Sequence, residues 1–357
     1  MAKSAVNIGI IGTGGISNVH ADACAHNPRA RVVALADVNV DTARGFAERH
    51  RLDVPVFGDF AELIALDAVD AVIIGTSNDA HMPIAIAAAQ ARKHILCEKP
   101  LAVDVDSAVE MVEAAKRARV RAMVGYSKRF FDQIRFLKHF LTTEDLGRIF
   151  HVRAFYLQSW LCDPTAPRYW RLERSKTGSG VLGDLGSHIT DLAQFLVGDI
   201  VRVQGLLRTF TSKRPAPGNP SKMLPVDVDD AVVFGAEFAC GALGQFEASR
   251  NATGHGDHWA IEVNAEKGAV RFDKDQGRVQ LLLREGPARH AGWVDLSVPH
   301  AFHTSSNEFH TEVSHFVDCI LNRKKPEPDF AEGLKVERVL EGVIKSSATG
   351  TAVVVGR

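Results

Sequence analysis

The chain has 357 residues, 42 Lys and Arg against 43 Asp and Glu, a formal net charge of -1 and 46% hydrophobic residues. Its length fits about two domains, and its apolar fraction supports sizeable cores, which excludes disorder as the dominant state. Balanced charge offers no broad electrostatic footprint for nucleic acid or acidic lipid, and no apolar run approaches the ~20 residues that span a bilayer.

Residues 6–11 form a continuous apolar run, as a strand buried on both faces does. A Gly-rich turn follows, then a helix to about residue 27. Strands are predicted at 31–37, 54–57, 71–74, 94–97 and 122–126. Helices are predicted at 41–50, 80–91 and 105–119, with Asp41 as the N-cap of the first of these. Strand–helix alternation of this kind implies a parallel sheet with right-handed crossovers. After about residue 125 the rhythm changes. A helix at 131–141 leads to a strand at 148–158, a helix at 184–197, and strands at 201–210, 231–238, 242–248, 258–264, 269–272 and 279–283. Consecutive strands with short Gly turns point to a mostly antiparallel sheet. Residues 213–225, with four prolines, read as a loop. Helices follow at 308–322 and 333–347. The expected domains are 1–125 and 126–357.

Met1-Ala2-Lys3-Ser4 lacks the charged-then-apolar-then-small layout of a signal peptide. The five cysteines, Cys24, Cys97, Cys162, Cys240 and Cys319, are scattered and form no CxxC pair. A cytoplasmic protein with reduced thiols is expected, without a disulfide framework or a thiolate zinc site.

The segment Gly12-Thr13-Gly14-Gly15-Ile16-Ser17 follows a strand and opens a helix. Gly12 permits a tight turn, and Gly14 lets backbone approach a pyrophosphate at the helix N-terminus. Ser17 stands where a third glycine is usual and is small enough to keep helix and strand close. Asp37 ends the second strand about 25 residues later, near the usual spacing for a ribose-binding carboxylate. Such a carboxylate accepts both ribose hydroxyls and repels a 2′-phosphate, so NAD is favoured over NADP. Thr76-Ser77-Asn78 follows the fourth strand and Glu98-Lys99-Pro100 the fifth. In a doubly wound sheet ligands bind outside the carboxyl ends of the strands, so both segments border the nicotinamide half of the crevice. The residues assigned to the cofactor are Gly12, Gly14, Gly15, Ile16, Asp37, Thr76, Asn78, His81, Glu98 and Lys99.

The glycine turn, Asp37, Asn78, Glu98-Lys99-Pro100 and the later Gly183-Asp184-Leu185-Gly186-Ser187-His188 together resemble the Gfo/Idh/MocA oxidoreductases, over nearly the whole chain. The EKP and G-x-x-G-x-H elements, in order and about 85 residues apart, are together fairly specific. The resemblance implies an α/β protein: an N-terminal Rossmann doubly wound parallel sheet plus a C-terminal α+β domain with an open, mostly antiparallel sheet. It also implies pyridine-nucleotide chemistry on sugars or cyclitols. Two departures are Ser17 in the glycine fingerprint and Ser77 where the family often has Pro.

Carried over residue by residue, the resemblance makes Lys99, Asp184 and His188 the catalytic group. Asp184 and His188 are four apart, so a helix sets them on one face. Oxidising a secondary alcohol needs a base for the hydroxyl proton as hydride leaves carbon, and His serves near neutral pH. A nearby carboxylate can orient the imidazole or bind a substrate hydroxyl. The Lys99 ammonium can hold the oxygen and stabilise alkoxide character. Asp191 continues this face and fits either site support or a salt bridge. Lys99, Asp184 and His188 are also expected to touch substrate, with Arg129 from Tyr126-Ser127-Lys128-Arg129-Phe130 and Trp170 from the loop that runs from Trp160 to Arg171. Trp faces stack on sugar C–H surfaces and Arg donates to hydroxyls; packing in a joint is an equal reading of Trp170.

No metal is expected: neither His255, Asp257 and His258 nor His300, His303 and His310 has a recognised ligand pattern. The reading is an NAD-dependent dehydrogenase acting on a secondary ring hydroxyl of a sugar, anhydrosugar or cyclitol. The Gln158-Ser159-Trp160-Leu161 stretch suggests the levoglucosan and inositol types. Its rivals are an NADP-linked reductase of a keto-sugar or imine, and an NAD-bound sensor without turnover. No nucleic acid or membrane partner is expected. The open sheet implied by the family needs its face covered, so a homodimer or homotetramer is expected.

Overall fold

The computed structural model describes residues 3–286, 292–304 and 307–356. The chain divides into two units, Met1–Phe130 with Ser305–Leu334 and Phe131–Thr304 with Lys335–Arg357.

In the first unit, β1 (Val6–Ile11), α1 (Gly15–His26), β2 (Ala30–Ala36), α2 (Val40–His50), β3 (Val56–Phe57), α3 (Phe60–Ile64), β4 (Ala71–Ile74), α4 (His81–Gln90), β5 (His94–Cys97), α5 (Val105–Ala118) and β6 (Ala122–Val124) follow one another. The six strands lie in the order β3-β2-β1-β4-β5-β6, all parallel. Parallel strands are buried on both faces, and here Ile8, Ile10, Val72, Ile73 and Ile74 have no exposed surface. The order reverses between β1 and β4. The segments that leave β1, β4 and β5, carrying Gly12, Thr76 and Lys99, therefore share one sheet edge at the topological switch. The N-cap of α2 is Asn39, not Asp41: its Oδ1 accepts the N–H groups of Asp41 and Thr42 at 3.2 Å each. Asp41 sits in the first turn, where its charge suits the helix dipole.

The second unit contains α6 (Asp132–Thr143), β7 (Ile149–Leu157), α7 (Arg174–Thr177) and α8 (Ser187–Val197). It continues with β8 (Ile200–Arg208), β9 (Lys213–Ala216), β10 (Asn219–Pro225), β11 (Ala231–Phe238), β12 (Leu243–Ser249), β13 (His258–Ala265), β14 (Gly268–Asp273), β15 (Arg278–Leu283) and β16 (Val294–Leu296). Residues 213–225 are thus a two-stranded ribbon rather than a loop. Its anchor is Arg214, fully buried and donating to the carbonyls of Leu161 and Asp163 at 2.7 Å, a tertiary cause that local composition hides.

The chain then returns to the first unit. α9 (Glu308–Leu321) buries Val313, Phe316 and Val317 in the same core as Ile8, Ile10 and Ile73. Behind it, Val124 donates its N–H to Pro328 at 3.0 Å, and Met123 bridges Asp329. The expected contiguous division at 125/126 therefore misses a segment, because the apolar stripe of α9 completes the first unit's core. The division falls at Leu334/Lys335, inside α10 (Phe330–Thr349). β17 (Val353–Val354) ends the nine-stranded sheet of the second unit, ordered β16-β15-β14-β13-β7-β12-β11-β8-β17. Among the described residues of this sheet only β7 and β12 pair in parallel. Strict alternation along β11, with Val232, Phe234 and Ala236 buried and Val233 half exposed, marks a sheet covered on one face.

Candidate active site

In the first unit, Gly12 has φ +82, and a Cβ there would come within 2.7 Å of Thr76 and 2.8 Å of the Gly75 carbonyl. Only glycine fits this turn. Gly14 and Gly15 face open space, and α1 starts at Gly15 with no side-chain cap. Uncapped N–H groups beside an open glycine cradle suit a pyrophosphate. Ile16 is half-buried beside Gly75. Ser17 is fully buried and its hydroxyl donates to the Gly12 carbonyl at 2.5 Å, so the departure from glycine adds a strut to the turn.

Asp37 leaves the end of β2 and turns back on this loop. Its Oδ2 accepts the Thr13 N–H at 2.7 Å and hydroxyl at 2.9 Å, and its Oδ1 accepts the Asn39 N–H at 2.9 Å. The carboxylate is locked in orientation with lone pairs to spare for a diol. These residues fit a bound NAD: glycines for the pyrophosphate and Asp37 for the adenosine ribose.

Thr76 is half-buried and Asn78 buried at the start of a short 3-10 turn after β4. His81, assigned to the cofactor from sequence, is fully buried, and its Nδ1 donates to the carbonyls of Pro100 at 3.1 Å and Leu101 at 3.3 Å. Burial lowers its proton affinity, against the Glu98 charge and these carbonyls. A neutral imidazole therefore straps α4 to the chain just beyond Lys99. Glu98 is buried and Lys99 half-buried, with a cis Lys99–Pro100 peptide. Arg129, expected to face substrate, is buried and donates to Glu332 at 2.9 Å, so this contact ties it within the first unit.

In the second unit, the helix expected from residue 184 begins differently. Leu182–Gly186 is a π-helical turn, and α8 starts at Ser187. Asp229, buried, accepts the N–H groups of Gly180 and Leu182 at 2.7 Å each. Burial pushes the Asp229 carboxyl above its usual range, while those N–H groups and the Arg250 charge pull it back. Asp184 meets Arg250 at 2.9 Å, and the same guanidinium nitrogen lies 3.3 Å from the Gly180 carbonyl. Arg250 is 1% exposed and Asp184 20%, so a buried cation holds a carboxylate that still reaches solvent. His188 lies buried in the first turn of α8, its ring 6.0 Å from that of Tyr156. Asp191, one turn on, is fully buried.

A polar chain extends from Tyr156. Its hydroxyl donates to Asp257 at 2.6 Å, Gln158 donates to Asp257 at 2.8 Å, and Trp160 donates to Gln158 at 2.8 Å. Trp160 is 38% exposed and its ring lies 5.3 Å from the Arg250 guanidinium. Trp170 is half-buried and lies under Arg171 at 4.2 Å. Sequence reasoning missed Arg250 and Asp229, because each acts through a partner about 50 or more residues away and neither belongs to a motif. The alternating pattern of β12 into Ser249-Arg250 was a weak signal for Arg250: it continues a buried strand with a charge, and a buried charge needs a partner.

Of the histidines passed over, His258 pairs with Asp273 at 3.2 Å and His255 at 3.1 Å. Among the described residues only Asp22, His26 and His310 bring three potential ligand atoms within 4.8 Å of one another. There Asp22 is already hydrogen-bonded to His310 at 2.8 Å.

A family model described as an oxidoreductase family with an NAD-binding Rossmann fold, GFO_IDH_MocA, matches residues 6–126. The GFO/IDH/MocA C-terminal domain matches residues 134–271. The chain is 31% identical to levoglucosan dehydrogenase of Pseudarthrobacter phenanthrenivorans, covering 96% of each. It is 31% identical to myo-inositol 2-dehydrogenase of Thermotoga maritima, over 78% of this chain and 79% of that one. Among solved structures, levoglucosan dehydrogenase in complex with NADH and levoglucosan superposes with TM-score 0.93 at 30% identity, covering 99% of both chains. An oxidoreductase domain protein from Kribbella flavida gives TM-score 0.93 at 36% identity, covering 99% of this chain and 100% of that one.

Proposed function

We propose that this chain, which belongs to the Gfo/Idh/MocA oxidoreductase family, oxidises a secondary ring hydroxyl of an unphosphorylated sugar, anhydrosugar or cyclitol with NAD. When bound, the nicotinamide supplies the hydride acceptor; the residues of the chain handle the proton and the oxygen. Lys99 holds the substrate oxygen and stabilises its alkoxide character. His188 takes the hydroxyl proton, as an imidazole can near neutral pH. Asp184 accepts a second substrate hydroxyl or steers the imidazole. Trp160, exposed and close to Arg250, offers a stacking face for sugar C–H bonds. Trp170 is a second such face, and Arg129 is left to its pairing with Glu332.

The observation that carries the reading is Asp184 held at 2.9 Å by a buried Arg250, one helical turn before His188. A fold kept only as an NAD-bound sensor has no need of a desolvated cation that orients a solvent-reaching carboxylate. The resemblance to levoglucosan and inositol dehydrogenases supports an anhydrosugar or inositol among candidate substrates.

The test is a panel of unphosphorylated sugars, anhydrosugars and cyclitols, followed by reduced-nicotinamide absorbance. The best substrate is expected to turn over, and Lys99→Ala and His188→Ala to lower kcat by about 10²- to 10⁴-fold while NAD still binds. Tight NAD binding with no hydride transfer across the panel favours the sensor reading instead. Full activity in both variants removes the catalytic assignment. The one-sided sheet of the second unit also supports self-association: Leu206 at 59% and Val233 at 49% exposure are apolar points on its uncovered face. We infer a homo-oligomer built by pairing these faces.

A further inference from the structure

Beside Lys99, within the first unit, lies a group of buried ionisable side chains that the chemistry above does not use. Glu98 Oε1 accepts from His20 Nε2 at 2.7 Å, and Glu98 Oε2 accepts the backbone N–H of Lys99 at 3.2 Å. His20 is fully buried on α1, two turns beyond the glycine cradle. Gly125 closes over the carboxylate, since a Cβ there would lie 3.1 Å from Glu98 Oε1. From α9 comes Glu312, fully buried, with neither carboxyl oxygen hydrogen-bonded among the described residues.

The charged and titratable groups facing this pocket are His20 from α1, His81 from α4, Glu98 and Lys99 after β5, Lys128 from the 3-10 turn Ser127–Phe130, and Glu308 and Glu312 from α9. Lys128 is engaged with Glu308 at 3.8 Å. Two carboxylates in one dry pocket do not both ionise. The charge goes to the one with partners. Glu98 has an imidazole N–H, a peptide N–H and the Lys99 charge; Glu312 has no hydrogen-bond partner among the described residues. Proton affinities follow the same division. Burial pushes Glu98 up, but His20 and Lys99 outweigh it and hold the group below the ordinary carboxylate value. Burial, then repulsion from Glu98 and Glu308, lifts Glu312 well above its own.

We propose that Glu98, clamped by His20, is the positioning residue for Lys99: it fixes the lysine's backbone and sets a fixed negative charge near its ammonium, while Glu312, buried without such donors, stands by as a neutral carboxylic acid. The inference rests on the reading of Lys99 as catalytic. It links the glycine-cradle helix to the lysine through a single buried hydrogen bond.

The test is a double-mutant cycle in the full-length enzyme with NAD and the best substrate. Glu98→Gln keeps the shape and removes the charge. Its kcat is expected to fall about ten- to a hundredfold, the scale of a lost charged hydrogen bond. The pH dependence of kcat is expected to shift with it. In the Lys99→Ala background the same substitution is expected to cost almost nothing more in residual turnover, because Glu98 acts through the lysine. An equal loss in both backgrounds, or an unchanged kcat and pH profile, overturns the proposal. Full activity in Lys99→Ala alone instead overturns the catalytic reading, so the two failures are distinguishable. Should Glu98→Gln not fold, His20→Gln enters the same cycle with the same expectations. Infrared spectra near neutral pH are expected to show a protonated-carboxyl band that Glu312→Gln removes; a spectrum without that band overturns the neutral-acid part.

Discussion

Glu312 makes the clearest single-residue test, because its environment has one reading. It is buried among like charges, and its proton affinity in the folded chain stands well above the ordinary 4.5. The unfolded chain releases that proton near the ordinary value. Below this pH both states hold the proton and the group is neutral to stability. As pH rises toward the folded value, the unfolded state alone ionises, and the folded state loses up to about 1.4 kcal/mol per pH unit from this group. Glu312→Gln cannot ionise and escapes that loss. Thermal unfolding from pH 5 to pH 8 should show the variant gaining Tm relative to the parent as pH rises. A constant difference across the range would mean that Glu312 is ionised in the fold. Asp37 contrasts with Glu312 in its hydrogen bonding, since both its oxygens are held by N–H groups or a hydroxyl.

The π-helical turn at Leu182–Gly186 carries Asp184 and leads into His188, the residues proposed above for the second unit's chemistry. Wide helical turns of this kind recur at functional sites, where they redirect a side chain within an otherwise regular helix. Here Asp229 ties down two N–H groups and Arg250 draws Asp184 across. The fit at Gly180 is tight: a Cβ would lie 2.7 Å from the Asp229 nitrogen and 2.8 Å from its carbonyl carbon, and backbone does not yield as a flexible side chain does. Gly180→Ala should therefore destabilise by about 2–4 kcal/mol. Gly235→Ala is the matched control, its nearest neighbours at 3.8 Å or beyond, and should stay within about 0.5 kcal/mol. Urea unfolding of the two variants reads the difference. If both cost the same, Asp229 does not grip this turn as described.

For the whole molecule, the inferred pairing of open sheets predicts a sedimentation coefficient above that of a 38.8 kDa monomer at micromolar concentration. Leu206→Glu combined with Val233→Glu charges the uncovered face and should shift the enzyme toward monomer without unfolding it. A wild-type monomer, or an assembly indifferent to both substitutions, counts against the pairing. No helix among the described residues is long and apolar enough to cross a membrane. The return of α9 to the first unit has its own consequence. Chain ending before residue 308 would strip Val313, Phe316 and Val317 from the core that also holds Ile8 and Ile73.

Much of this was legible in the chain itself. The strands of the parallel sheet read as apolar runs because burial on both faces demands them, and the glycine turn and Asp37 read as a cofactor cradle because local backbone geometry requires those residue types. The EKP and G-x-x-G-x-H elements carried the family. What no local pattern carries is pairing across distance. Arg250 finding Asp184, His20 finding Glu98, Asp229 capping Gly180 and α9 completing a core more than 180 residues upstream are matters of which buried charge or apolar stripe has a partner nearby. Spacing in a sequence encodes periodicity within an element; desolvation is satisfied by whichever group folding brings within reach, and that is settled in three dimensions.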